Sequence, residues 1–168
     1  YGMLICSDEI WADFQTGGHK HVPLHTCCPR AKEIVFSMYA PSKTFNLAGL
    51  VGSYHVIFNK YLRERMDKVA SLSHYNSINV MSMHALVGAQ YVDAMNAYIR
   101  ESQIWLKKEL ETNIPGLRIH LPDATYLLWV NFEDYCKQKD CEFQEVLDKV
   151  TAKGVIPNDG RTFHGATH

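Results

Sequence analysis

Two hydrophobic periods alternate along this chain, and that alternation limits the fold more than any other feature. Short, nearly continuous apolar runs occur as GMLIC at about 2–7, EIVFSMY ending at Tyr39, GSYHVIFN ending at Asn59, LRIHL from Leu117 and TYLLWVNF from Thr125. Between them lie segments such as NKYLRERMDKVA and CEFQEVLDKVTAKG, whose apolar residues recur every three or four positions. Runs of the first kind suit strands buried on both faces of a parallel sheet, and spacing of the second kind suits one face of a helix. Helices between strands predict an α/β fold with a mostly parallel sheet. GVIP, from Gly154, reads as a short final strand.

The longest periodic stretch predicts one helix. Val80, Met83, Val87, Tyr91, Met95, Tyr98, Trp105 and Leu110 recur mostly at spacings of three, four or seven. Asn79 is a suitable N-cap, and Pro115-Gly116 ends the pattern. Such a helix reaches roughly 50 Å and joins two lobes. The expected division is 1–78, the end of a larger domain, and 79–168, the linking helix with a smaller α/β domain. The helix's apolar stripe is expected to be core, with a subunit interface as the alternative.

Composition serves mainly to exclude. A net charge of −1 gives no basic surplus for nucleic acid, and no apolar run approaches the roughly 18 residues of a membrane span. No secretory leader pattern opens the sequence, and the five irregularly spaced cysteines suit reduced thiols. A soluble, cytoplasmic chain is the expectation. The sequence opens on a strand already under way and stops in the loop-like IPNDGRTFHGATH, which suggests a fragment of a longer protein.

Two groups of residues carry candidate chemistry. Lys43 lies just beyond the second strand, in a loop with Pro41, Ser42, Ala48 and Gly49. Apolar flanks should desolvate its amine, favour the neutral form and make it nucleophilic; the alternative is a solvated turn lysine. Asp8 and Glu9 stand at the carboxyl end of the first strand, where open α/β sheets bind ligands. A carboxylate there could hold a proton on a ring nitrogen, or be an ordinary strand-end charge. A third cluster, His19, His21, His25, Cys27 and Cys28, crowds one loop. Its spacing lacks the second ligand pair of a structural zinc site, so no metal is expected and solvated histidines are the simpler view.

Ser7-Asp8-Glu9-Ile10, followed about 35 residues later by Ser42-Lys43-Thr44-Phe45-Asn46-Leu47-Ala48-Gly49-Leu50, resembles fold-type I pyridoxal-phosphate (PLP) enzymes of the class I/II aminotransferase family. Trp105-Leu106 and Thr125-Tyr126-Leu127-Leu128-Trp129 resemble its cystathionine β-lyase-like carbon–sulfur lyase branch, and the likeness spans essentially the whole chain. The resemblance implies the large PLP-binding domain of that fold plus a small C-terminal domain, and a homodimer acting on a small amino acid. It matches Lys43 to the lysine that carries the cofactor and moves a proton, Asp8 to the partner of the pyridine nitrogen, and Ser42 to a phosphate neighbour. Trp11 falls where relatives often place Tyr or His near the ring hydroxyl; an indole donates one hydrogen bond and does not titrate. Val51 stands where many aminotransferases have a phosphate-binding arginine, which favours the lyase branch. Tyr75 and Asn76 are candidates to reach a neighbouring subunit's site, while Asn46 and Tyr126 suit either a pocket or a turn. The family's N-terminal half and its carboxylate-binding arginine fall outside these residues, and Arg161 is not at the matching place. Alternatives are an aminotransferase, or a non-catalytic interaction domain built on such an enzyme half.

Overall fold

The structure, a computed structural model, describes residues 2–73, 78–87 and 90–163. The chain divides into two compact units, Tyr1–Asn96 and Ala97–His168. Tyr75 and Asn76 lie outside the described residues.

In the first unit, strands β1 (Ile5–Asp8), β2 (Val35–Tyr39) and β3 (Tyr54–Ile57) form a sheet in the order β1-β2-β3. β1 and β2 are parallel, with Ile5 opposite Val35 and Asp8 opposite Met38. β3 returns antiparallel, with Tyr39 opposite Tyr54. The 26 residues between β1 and β2 include a 3₁₀ turn and the short helix α1 (Ala31–Ile34), enough chain for a crossover. The sheet is therefore mixed, which corrects the mostly parallel expectation. On β2, Val35 and Ser37 are fully buried and their neighbours partly so, the period-two burial of a central strand.

Helix α2 (Lys60–Ser73) starts at a side-chain cap. Asn59 Oδ1 accepts the Leu62 N–H at 3.1 Å, and Asn59 Nδ2 donates to the Glu33 carbonyl at 2.8 Å. The long periodic stretch is described as α3 (Val80–Val87) and α4 (Gln90–Asn113), on either side of residues 88–89. Asn79 is the expected cap, its Oδ1 accepting the Ser82 N–H at 2.9 Å.

The second unit pairs β4 (Arg118–His120) with β5 (Trp129–Asn131), antiparallel, and adds helices α5 (Glu133–Lys139) and α6 (Phe143–Ala152). Its buried apolar residues are Leu117, Ile119, Phe143 and Val146. A reciprocal capping box between Glu142 and Glu145 starts α6. Residues 155–159 form no strand, because neither chain end of GVIP meets a partner edge among the described residues; Ile156 is 84% exposed. α5 was not foreseen, since EDYCKQK is short, charged and lacks an apolar period.

Two burial expectations fail. Met3, Leu4 and Ile5 are exposed, because β1 pairs along one edge among the described residues. The long apolar stripe is exposed too: Val80, Met83, Val87, Tyr91, Tyr98 and Trp105 all face outward, Tyr98 at 73%. Periodicity marks which residues share a face and carries no information about what covers it.

Gly116, just past α4, has φ +96°, and a Cβ there would come within 2.7 Å of the Tyr135 backbone. Gly154 has φ +87° with nothing within 4 Å of a built Cβ. Gly116→Ala should cost about 2–4 kcal/mol, combining backbone strain with overpacking, whereas Gly154→Ala should cost only about 1 kcal/mol. Urea denaturation of the two variants checks this; equal losses would remove the steric argument.

Candidate functional site

Because β1 and β2 are parallel neighbours, their carboxyl ends open at the same edge of the sheet. Beyond β1 the chain turns at once, with the Ala12 N–H on the Glu9 carbonyl at 3.0 Å and the Phe14 N–H on the Trp11 carbonyl at 3.0 Å. Beyond β2 a second turn forms, the Phe45 N–H reaching the Pro41 carbonyl at 3.0 Å and the Leu47 N–H the Ser42 carbonyl at 2.9 Å. The buried Thr44 hydroxyl donates to Asp13 Oδ2 at 2.7 Å and ties the turns together.

This arrangement brings Lys43 to Trp11, with Nζ 5.9 Å from the indole ring centroid. Asp8, the last residue of β1, is exposed, and its Oδ1 accepts the Ile10 N–H at 3.2 Å. Ser42 is half-buried in the Lys43 turn. Lys43 itself is exposed, which corrects the expected desolvation: in this turn Pro41 and Thr44 face inward, and the lysine between them faces water. Asn46 closes the turn at φ +54°, exposed. Val51 is exposed at φ +39°, a strained value for a β-branched residue. Arg161 is engaged elsewhere, hydrogen-bonded to Asp159 at 2.7 Å and Gln144 at 2.6 Å.

Directly behind Asp8, the side chain of Glu9 is the centre of a polar network. Only 5% exposed, its carboxylate accepts from the Tyr39 hydroxyl at 2.7 Å, the Ser37 hydroxyl at 2.9 Å and the Leu24 N–H at 3.1 Å, and pairs with His21 Nε2 at 2.7 Å. Ser37 donates to Glu9, so it accepts from His25 Nδ1 at 2.9 Å. Burial by itself would raise the Glu9 pKa, but the bonds from His21, Tyr39, Ser37 and Leu24 outweigh it and hold the carboxyl at about 2. Burial, and then the bond to Glu9 and its charge, push Tyr39 up to about 12.

The sequence identified Glu9 by position but missed this role. The signal was Ser37 and Tyr39, two residues apart on one strand and so on one face. His25 is buried in the network, which corrects its reading as a solvated loop histidine, whereas His21 is exposed and joins through its bond to Glu9. Among the described residues no group of three or more His, Cys, Asp or Glu is placed to hold a metal ion. A cleft of about 360 Å³ opens beside the same turns, lined by Glu9, Asp13, His21, Tyr39, Phe45 and Tyr54 among others. Lys43, Ser42, Asp8 and Trp11 are not in its lining, so cleft and lysine are separate features of this edge. No helix among the described residues is long and apolar enough to cross a membrane.

Fold and site together define a mixed-sheet α/β protein with a lysine and a carboxylate at the carboxyl edge of neighbouring parallel strands. The chain belongs to the class I and II aminotransferase family, whose sequence model matches residues 1–166. It is 29% identical over 170 residues to cystathionine beta-lyase PatB of Bacillus subtilis, an alignment covering 98% of this chain and 43% of that protein. The PLP-bound C-S lyase from Staphylococcus hominis superposes with a TM-score of 0.69 at 30% identity, over 83% of this chain and 36% of that one. Cystalysin from Treponema denticola, which contains pyridoxal 5'-phosphate, shares the fold with a TM-score of 0.79 at 24% identity, over 95% of this chain and 41% of that one. The chain thus spans less than half the length of the relatives it matches.

Glu9 generates a pH prediction. A carboxyl held at about 2 in the fold, against an ordinary 4.5, stabilises the fold above about pH 4.5, and that contribution is lost as pH falls through about 2. The stability gap between the parent chain and Glu9→Gln should therefore narrow by about 3 kcal/mol between those pH values. Denaturant melts of both proteins across that range check it; a constant gap would mean that the carboxylate carries no such advantage.

Proposed function

We propose that this chain is the Lys43-bearing part of a PLP-dependent carbon–sulfur β-lyase, which cleaves a sulfur amino acid such as cystathionine to pyruvate, ammonia and a thiol. The observation that carries the proposal is the meeting of Lys43 with Trp11 at the strand edge that Asp8 terminates. It is supported by the likeness to cystathionine beta-lyase PatB and to a C-S lyase structure. In this reading residues 1–78 complete a large cofactor-binding domain, residues 79–168 supply the linking helix and part of a small domain, and the working enzyme is a cytoplasmic homodimer.

The residues present fit the cofactor. An exposed amine, a strand-end carboxylate, an aromatic face and a hydroxyl suit an anionic heteroaromatic aldehyde. When bound, PLP supplies an electron-accepting ring that stabilises negative charge at the substrate α-carbon. Lys43 would hold the group through Nζ, and the same amine would move the substrate's α-proton. The Asp8 carboxylate holds a proton on the ring nitrogen, which keeps the ring electron-poor. Ser42 offers its hydroxyl to the phosphate, and Trp11 offers an indole N–H and an apolar face that does not titrate. The buried Glu9 network fixes the backbone from which Asp8 and Trp11 project.

An aminotransferase is the second reading, favoured by the family's own description. Pyruvate release from cystathionine without an amino-group acceptor supports the lyase, whereas turnover that requires an acceptor supports the aminotransferase. The cofactor assignment is tested first: incubation with PLP, borohydride reduction and peptide mass mapping should place a pyridoxyl group on Lys43, and Lys43→Ala should lose it. Labelling scattered over surface lysines, or unchanged in Lys43→Ala, would overturn the assignment. In a protein containing this sequence and active on cystathionine, Lys43→Ala should lower turnover by about 10²–10⁴-fold.

A further inference from the structure

Far from Lys43 in sequence, the second unit holds two thiols that the proposed chemistry does not use. Helix α5 ends in a tight reversal at Asp140, whose φ of +47° places it in the left-handed region. The Asp140 N–H and the Cys141 N–H both return to the Cys136 carbonyl, the latter at 3.2 Å. This is the six-to-one closure of a Schellman turn, which sets the side chains of its first and last residues against each other. Here both are cysteines. Each is half-buried and unbridged, and together they line an open depression with Glu133, Lys137, Asp140, Glu142 and Glu145. Immediately after Cys141, the capping box of Glu142 and Glu145 fixes the start of α6, so both thiols sit on restrained backbone.

We propose that Cys136 and Cys141 are a modification site: a dithiol that a small disulfide oxidant closes to a disulfide joining the end of α5 to the start of α6. In the first step a thiolate attacks one sulfur of the oxidant; the oxidant's S–S bond breaks, one thiol leaves and a mixed disulfide forms. In the second, the other cysteine loses its proton, attacks the protein sulfur of that mixed disulfide and expels the second thiol. Two electrons and two protons pass to the oxidant in all. Burial, then Cys141, then Glu142 and Glu145 push the Cys136 thiol up, which disfavours its thiolate. The surrounding carboxylates favour an uncharged oxidant over an anionic one. The other thiols are less suited. Cys27 and Cys28 are adjacent, and consecutive Cα atoms lie about 3.8 Å apart, below the usual disulfide span. Cys6 donates weakly to the Met38 sulfur at 3.7 Å.

The test treats the folded chain with limiting hydroxyethyl disulfide, quenches with an alkylating agent, and maps tryptic peptides without reduction. Lys137 and Lys139 lie between the two cysteines, so a Cys136–Cys141 bond holds peptides 119–137 and 140–149 together. Once exchange has reached equilibrium, the cross-link should exceed adducts at Cys6, Cys27 or Cys28 by about tenfold, because its second step is intramolecular and the adducts remain open to displacement by the released thiol. Cys136→Ser should stop at a stable adduct on Cys141, and urea should erase the preference. Adducts confined to Cys6, Cys27 and Cys28, or equal cross-linking in folded and unfolded chain, would overturn the proposal.

Discussion

The carboxylate of Glu9 is the constraint around which the first unit is organised. It is nearly out of solvent and ionised, a state that is costly unless its lone pairs are filled. They are filled by groups from two places: the loop after β1 through His21 and Leu24, and the central strand through Ser37 and Tyr39. The loop between β1 and β2 therefore cannot be placed independently of the strands, since either partner removed leaves a buried charge short of donors. The residues on either side of Glu9, Asp8 and then Trp11, inherit that placement. Two of the candidate site residues, Asp8 and Trp11, thus lie within two residues of the electrostatic anchor in sequence.

Against that ordered centre, several large apolar side chains face outward. The open edge of β1 presents Met3, Leu4 and Ile5, and the long helical stretch presents Tyr91, Tyr98 and Trp105. A soluble monomer rarely leaves contiguous apolar faces of this kind uncovered. The relatives matched are more than twice as long as this chain, so such faces accord with a sequence representing part of a larger whole. The exposure of Lys43 belongs to the same picture, because desolvating an amine needs neighbours on every side.

Much of the fold was legible because local rules carried it. Asn79 starts its helix through a side-chain bond to the third residue beyond, and Pro115-Gly116 stops α4. β2 and β3 fall inside the apolar runs that predict them, and β1 overlaps the end of its run at Ile5 and Cys6 and continues to Asp8. The failures are equally local in origin. α5 has no apolar period to detect, and GVIP has strand composition without a partner edge among the described residues. The motif residues Asp8, Trp11, Ser42 and Lys43 were visible as a resemblance, and the structure brings Lys43 to Trp11 and places all four at one sheet edge.

What the sequence determined by itself was most of the longer elements, the Asn79 cap, and the residue types available at the carboxyl ends of β1 and β2. Those follow from side-chain period, backbone preference and short-range hydrogen bonding, which operate within a few residues. Tertiary structure decided that β3 runs antiparallel, that Glu9 rather than Asp8 is buried, that His21 and His25 serve the Glu9 network, and that Cys136 faces Cys141 across a turn. Each of these depends on which groups meet across the fold, and a buried charge or a paired strand edge acquires its energy only when its partners arrive.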